Sequence, residues 1–130
     1  MDGVLASPFV SGAQETLEVL RENDIFAYIV SGTPDREIKL IVDRRGLSQY
    51  FKQVHGSPRK KQEICQEIIR RGNYNAQNCL FIGDAMTDYE AAQKNGVCFL
   101  GIVREDKVSP FPHGTPISST VTVAFSSLHK

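Results

Sequence analysis

The sequence predicts an α/β domain built on a mostly parallel sheet. Short apolar runs rich in β-branched and aromatic residues alternate along the chain with stretches of helical periodicity. The connections between successive runs are too long for hairpins, so right-handed crossovers are expected, with helices covering both faces of the sheet. At 130 residues, 41% of them hydrophobic, the chain can bury one sizeable core but not two, so residues 1–130 read as a single domain.

Gly12 to Glu22 carries a helical stripe at Ala13, Leu17 and Leu20, and Asn23-Asp24 breaks it. Ile25 to Val30 is a nearly continuous apolar strand that stops at Ser31-Gly32. Thr33 reads as an N-cap with Pro34 at the first helical position, opening a helix with Ile38, Ile41 and Val42 inward and Gly46 as its stop. Gly46 to Tyr50 is a turn, and Phe51 to His55 a short strand closed by Gly56-Ser57-Pro58. A helix over Lys60 to Arg71 buries Ile64, Cys65, Ile68 and Ile69, with Gly72-Asn73 ending it. Cys79 to Ile82 is a strand, Gly83 to Thr87 a loop, Asp88 to Asn95 a helix ended by Gly96, and Val97 to Val103 a further strand. Ser109 to Ser119, with three prolines, is a surface loop, and Val121 to Phe125 a last edge strand.

Fifteen basic residues balance fifteen acidic ones, so no broad field recruits nucleic acid or an anionic membrane. The apolar runs are strand-sized and the start lacks a leader's basic and apolar regions, so a cytoplasmic protein without a membrane span is expected. Cys65, Cys79 and Cys98 are odd in number and embedded in apolar runs, as small buried hydrophobes are, rather than a disulfide frame or a zinc site.

In open parallel sheets the ligand site lies beyond the carboxyl ends of the strands. After the second apolar run stand Ser31, Gly32 and Thr33, offering a hydroxyl and a helix start to an anionic oxygen. After Cys79 to Ile82 stand Asp84 and Asp88, two carboxylates four residues apart at a strand-to-helix turn. One loop suited to an anion and one acidic loop at the same edge fit a divalent cation neutralising a phosphate. Lys60 and Lys61 lie near a helix start, where they oppose the dipole and call for an anionic partner.

These motifs together resemble the haloacid dehalogenase superfamily, mostly phosphatases on a Rossmann-like three-layer sandwich. Ile29 to Thr33 looks like the second motif, implying that Ser31, with Gly32 beside it, holds the transferring phosphoryl group. Gly56 to Lys61 looks like the third motif, with Lys61 favoured over Lys60 as the lysine stabilising nucleophile and phosphate. Leu80 to Asp88 is close to the fourth motif, implying that Asp84 ligates Mg²⁺ and Asp88 binds or orients it. Asp2-Gly3-Val4-Leu5 resembles the second half of the first motif, which would make Asp2 the general acid and base and place its backbone carbonyl on the metal. The nucleophilic aspartate and its central strand would then lie before Met1, removed by truncation, processing or splicing.

The resemblance implies a Mg²⁺-dependent phosphohydrolase acting on a small phosphorylated metabolite through an aspartyl-phosphate, impaired as it stands for want of the nucleophile. About 25 residues separate Asp2-Gly3 from Ser31, too few for a cap domain, so the chain resembles the capless branch, which commonly forms homo-oligomers or accepts large substrates. A non-catalytic binding or regulatory domain of the same fold is the alternative.

Overall fold

The computed structural model describes residues 2–6 and 13–119. Its sheet has six strands, all parallel: β1 (Gly3–Ala6), β2 (Phe26–Pro34), β3 (Gln53–Ser57), β4 (Cys79–Gly83), β5 (Cys98–Ile102) and β6 (Ile117–Ser118), in the spatial order β3-β2-β1-β4-β5-β6. Four helices alternate with the strands: α1 (Ala13–Glu22), α2 (Asp35–Arg44), α3 (Lys61–Gly72) and α4 (Met86–Asn95). No helix among the described residues is long and apolar enough to cross a membrane.

Alternation along each central strand feeds two cores. Leu5, Tyr28 and Phe81 point to one face, where Ile64, Cys65 and Ile68 of α3 and Ala91 and Ala92 of α4 cover them. Val4, Ala27 and Leu80 point to the other, covered by Leu17 and Leu20 of α1, while Ile38 and Val42 of α2 close over Ile29. Both faces of β1, β2 and β4 are therefore buried, which is why these strands read as apolar runs without polar alternation.

The strand expected before Met1 has a different answer in the fold. Gly3–Ala6 itself takes the central position between β2 and β4, with Gly3 opposite both Phe26 and Cys79, and Val4 and Leu5 are almost completely buried. A four-residue segment preceded by Asp2 carried too little pattern to be read as a strand.

Smaller corrections follow from local hydrogen bonding. β2 runs through Ser31, Gly32 and Thr33 to Pro34, so Thr33 is strand rather than cap and α2 starts at Asp35. The pairing with β3 shifts between Val30 and Pro34, which loosens the ladder where the polar residues stand. α4 begins at Met86, two residues earlier than expected, because the Asp88 carboxylate in its first turn accepts the Ala85 N–H at 3.2 Å. The loop expected over Ser109 to Ser119 contains the short β6, while Val121 to Phe125 and the start of the first helix at Gly12 lie outside the described residues. Cys65 and Cys79 are buried as expected, but Cys98 is exposed; none forms a disulfide.

Candidate active site

Three loops meet at the carboxyl rim of the sheet, and the contacts among them define the site. Ser31 follows the apolar core of β2, and its Oγ accepts the Thr33 N–H at 3.0 Å, leaving its own O–H to donate. A Cβ placed on Gly32 would lie 3.8 Å from Cε of Lys61, so the Ser31-Gly32 segment lies against the lysine stem. Lys61 is the first residue of α3; Lys60 forms neither of the contacts described next.

The Lys61 ammonium donates to Oγ1 of Thr87 at 2.8 Å and stands 2.9 Å from Oδ1 of Asp88. Asp88 is fully buried, yet Oδ1 accepts no hydrogen bond of proper geometry. The 2.9 Å contact is an ion pair whose direction is poor, so attraction between charges holds it rather than alignment. An ammonium has three donors, and these two partners leave one of them for a ligand. Burial raises the Asp88 pKa above the ordinary carboxylate value; Lys61 and the Ala85 N–H act against that, and Asp84 reinforces it.

Glycines set the close approaches. A Cβ on Gly83 would lie 2.4 Å from Cβ of Asp88, so only glycine lets β4 end directly beneath the buried carboxylate. A Cβ on Gly56 would lie 2.3 Å from the Thr33 carbonyl oxygen; without one, the Gly56 N–H donates to Oδ1 of Asp35 at 2.9 Å. Asp35 thereby ties the end of β3 to the start of α2, fixing the loop that delivers Lys61 relative to the one that carries Ser31. Lys39 is the main cause of a lowered Asp35 pKa, and the Gly56 N–H adds to it.

Of the residues singled out from the sequence, Ser31, Gly32, Lys61, Asp84 and Asp88 stand at this rim; Asp84 is exposed on the loop that follows β4. Asp2 does not join them. Its N–H donates to the Asn78 carbonyl at 2.6 Å, just ahead of β4, and about 13 Å of strand separates it from the carboxyl end of β1. The acid/base and metal roles expected of Asp2 are corrected accordingly: a residue preceding a parallel strand lies at the opposite rim from one following it. Among the described residues no group of three or more His, Cys, Asp or Glu side chains is arranged to hold a metal ion. Asp88, buried and committed to Lys61, is placed to hold the lysine rather than to ligate, leaving Asp84 as the accessible hard oxygen. Asp84 is thus the residue that could hold a hard divalent cation at this rim.

Two contributors escaped the sequence reading. Thr87 was a loop residue with no assigned role, and Asp35 was not singled out at all; only their contacts with Lys61 and Gly56 reveal them.

The family model of haloacid dehalogenase-like hydrolases matches residues 5–102. A phosphoglycolate phosphatase of Pseudomonas fluorescens (strain Pf0-1) is 26% identical, over 92% of this chain and 44% of its own length. A 5'-nucleotidase of Pseudomonas aeruginosa is 27% identical, over 77% of this chain and 48% of its own length. The chain thus spans less than half of these curated relatives. Among solved structures, the core domain of a protein designated a phosphoglycolate phosphatase from Streptococcus pneumoniae superposes with a TM-score of 0.78 at 20% identity, covering 99% of this chain and 96% of that domain. A haloacid dehalogenase superfamily hydrolase from Ehrlichia chaffeensis gives 0.76 at 20% identity, covering 92% of this chain and 57% of that one.

Proposed function

We propose, from the premise that this chain belongs to the haloacid dehalogenase-like hydrolase family, that it forms the phosphate-binding core of a Mg²⁺-dependent phosphohydrolase acting on a small phosphorylated metabolite. The observation that carries the reading is the Lys61 ammonium, held between Thr87 and the buried Asp88 against the Ser31-Gly32 segment. That arrangement offers a phosphoryl oxygen a fixed cation beside the Ser31-Gly32 segment, and fixed charge is the main requirement of phosphoryl transfer.

Ser31 would orient the phosphoryl group and Lys61 would stabilise charge as it develops there. Asp88 keeps the lysine in place. Asp84 would hold Mg²⁺, which when bound supplies further neutralisation of the phosphoryl oxygens. The family route through an aspartyl-phosphate needs a carboxylate at the carboxyl end of β1, and residues 3–13 contain no Asp or Glu. On this reading the nucleophile comes from another part of the protein. These 130 residues alone should then bind phosphate while turning over about 10⁴-fold or more slowly than a complete enzyme, the scale of losing an activated nucleophile.

The position of Asp2 also favours the alternative, a binding or regulatory domain of the same fold. Thermal shift separates binding from no binding: inorganic phosphate with Mg²⁺ should raise the melting temperature of the chain, and Lys61→Met should remove the effect. Turnover of p-nitrophenyl phosphate then tests the placement of the nucleophile. Fast turnover abolished by Asp84→Asn, with no other residues present, would overturn it.

A further inference from the structure

The cleft beside Lys61 has Gly32 on one wall and the segment from Pro58 to Gln62 on another, so the gap between the Ser31-Gly32 loop and Lys61 sets its width. These walls extend from neighbouring strands, β2 and β3, yet the pairing of the two strands is irregular between Val30 and Pro34, where Ser31 and Gly32 stand. Regular ladder hydrogen bonds therefore do not hold the gap at the level of the site.

A side chain spans the irregular stretch. Asp35, the first residue of α2, accepts the Gly56 N–H at 2.9 Å on Oδ1 and the Lys39 ammonium at 2.6 Å on Oδ2. A hydrogen bond to a carboxylate is stronger than one between neutral groups. Gly56 already lies against the start of α2, where an added Cβ would stand 2.7 Å from the Asp35 Cα, so loss of the bond lets the β3 loop move only outward.

Asn95 holds the other end of the same segment. Its Nδ2 donates to the Gln62 carbonyl at 3.0 Å and to the Ala91 carbonyl at 2.8 Å. That tether joins α3 to α4, the helix whose Thr87 and Asp88 already hold the Lys61 ammonium, and so leaves the distance from Lys61 to Ser31 to Asp35.

Resting on the phosphohydrolase reading, we propose that Asp35 is a positioning residue: without touching the ligand, its bond to the Gly56 N–H sets the separation of Ser31 and Lys61 and so fits the cleft to an oxyanion of phosphate size. The ion pair with Lys39 is exposed and contributes little to this.

Calorimetric titration of the 130-residue chain with Mg²⁺ tests the proposal, using inorganic phosphate and arsenate, which has the same charge and longer bonds to oxygen. A small misplacement is felt most by the ligand that fits best, so Asp35→Ala should weaken phosphate binding about tenfold and arsenate binding about threefold. Asp35→Asn keeps an acceptor oxygen for Gly56 and should restore most of the phosphate affinity, while Lys39→Met should leave both affinities unchanged. Asn95→Ala should lower the melting temperature without moving the phosphate-to-arsenate ratio. A ratio that stays at the parent value in Asp35→Ala, or shifts as much in Asn95→Ala or Lys39→Met, overturns the proposal while leaving phosphate binding intact. Should Asp35→Ala not fold, Asp35→Glu carries the same test, because its extra methylene displaces Gly56 and should lower the ratio in the same direction. If the parent chain does not bind inorganic phosphate, or Lys61→Met binds it equally well, the phosphohydrolase reading falls and this proposal with it.

Discussion

The two rims of the sheet handle buried polar groups in opposite ways. At the amino rim, the hydroxyls of Tyr28 and Tyr74 meet at 2.5 Å, their rings pack edge to face, and Gly72 leaves room for the Tyr74 ring. That pair is neutral: burial, helped by Tyr74, pushes the Tyr28 hydroxyl further above the range in which it would ionise. At the carboxyl rim, the buried polar group is a carboxylate held by one lysine, with an oxygen lacking any aligned hydrogen bond. A neutral, mutually satisfied pair serves packing. A charged, incompletely satisfied one can interact with a ligand, so chemistry is expected at one rim and structural stabilisation at the other.

The sharpest way to break this contrast is to remove the cation. Lys61→Met leaves Asp88 buried without a counter-charge, which in comparable pairs costs about 3 kcal/mol or more, limited here by the carboxyl taking up a proton. Urea denaturation at neutral pH reads the loss. A midpoint shift no larger than that of an amino-rim tyrosine variant would mean that the carboxyl rim carries no special electrostatic stress.

At the amino rim the effects should be smaller and unequal. Tyr74→Phe leaves the Tyr28 hydroxyl buried without a partner, costing about 1–2 kcal/mol, whereas Tyr28→Phe leaves the half-buried Tyr74 able to reach water and costs about half as much. Equal losses in the same denaturation experiment would show that the pair does not discriminate between its two environments.

The finest test is the sign of pH dependence. Asp88 has a folded-state pKa above its unfolded one, so its contribution is full below the ordinary carboxylate value and is lost as pH rises through the raised value. Asp35, lowered chiefly by Lys39, contributes fully above the ordinary value and loses that contribution as pH falls through its depressed one. Melting temperature against pH, for Asp88→Asn and Asp35→Asn each referred to the parent chain, should therefore give difference curves of opposite slope. Curves of the same slope would contradict the assigned environments.

Much of the fold was legible before any coordinates. Ile25 to Val30 and Cys79 to Ile82 read as doubly covered strands because burial on both faces demands continuous apolar residues, and β2 and β4 include them. Ser31, Lys61, Asp84 and Asp88 read as one rim because each follows, directly or after a short turn, a strand of the same parallel sheet. β1 escaped because four residues carry little periodicity. Asp2 was misplaced because a motif half-matched in sequence says nothing about which end of a strand it occupies.

Local physics, written in the order of residues, determined by itself the alternation of strand and helix, the parallel sheet and the polar loops that end its strands. Only the tertiary structure decided which groups touch: Thr87 with Lys61, Lys61 with Asp88, Asp35 with Gly56, and Asp2 with none of them. Hydrophobic pattern acts between near neighbours in sequence, whereas Lys61 and Thr87 are 26 residues apart and meet only because one crossover, through α3 and β4, returns the chain to the same rim.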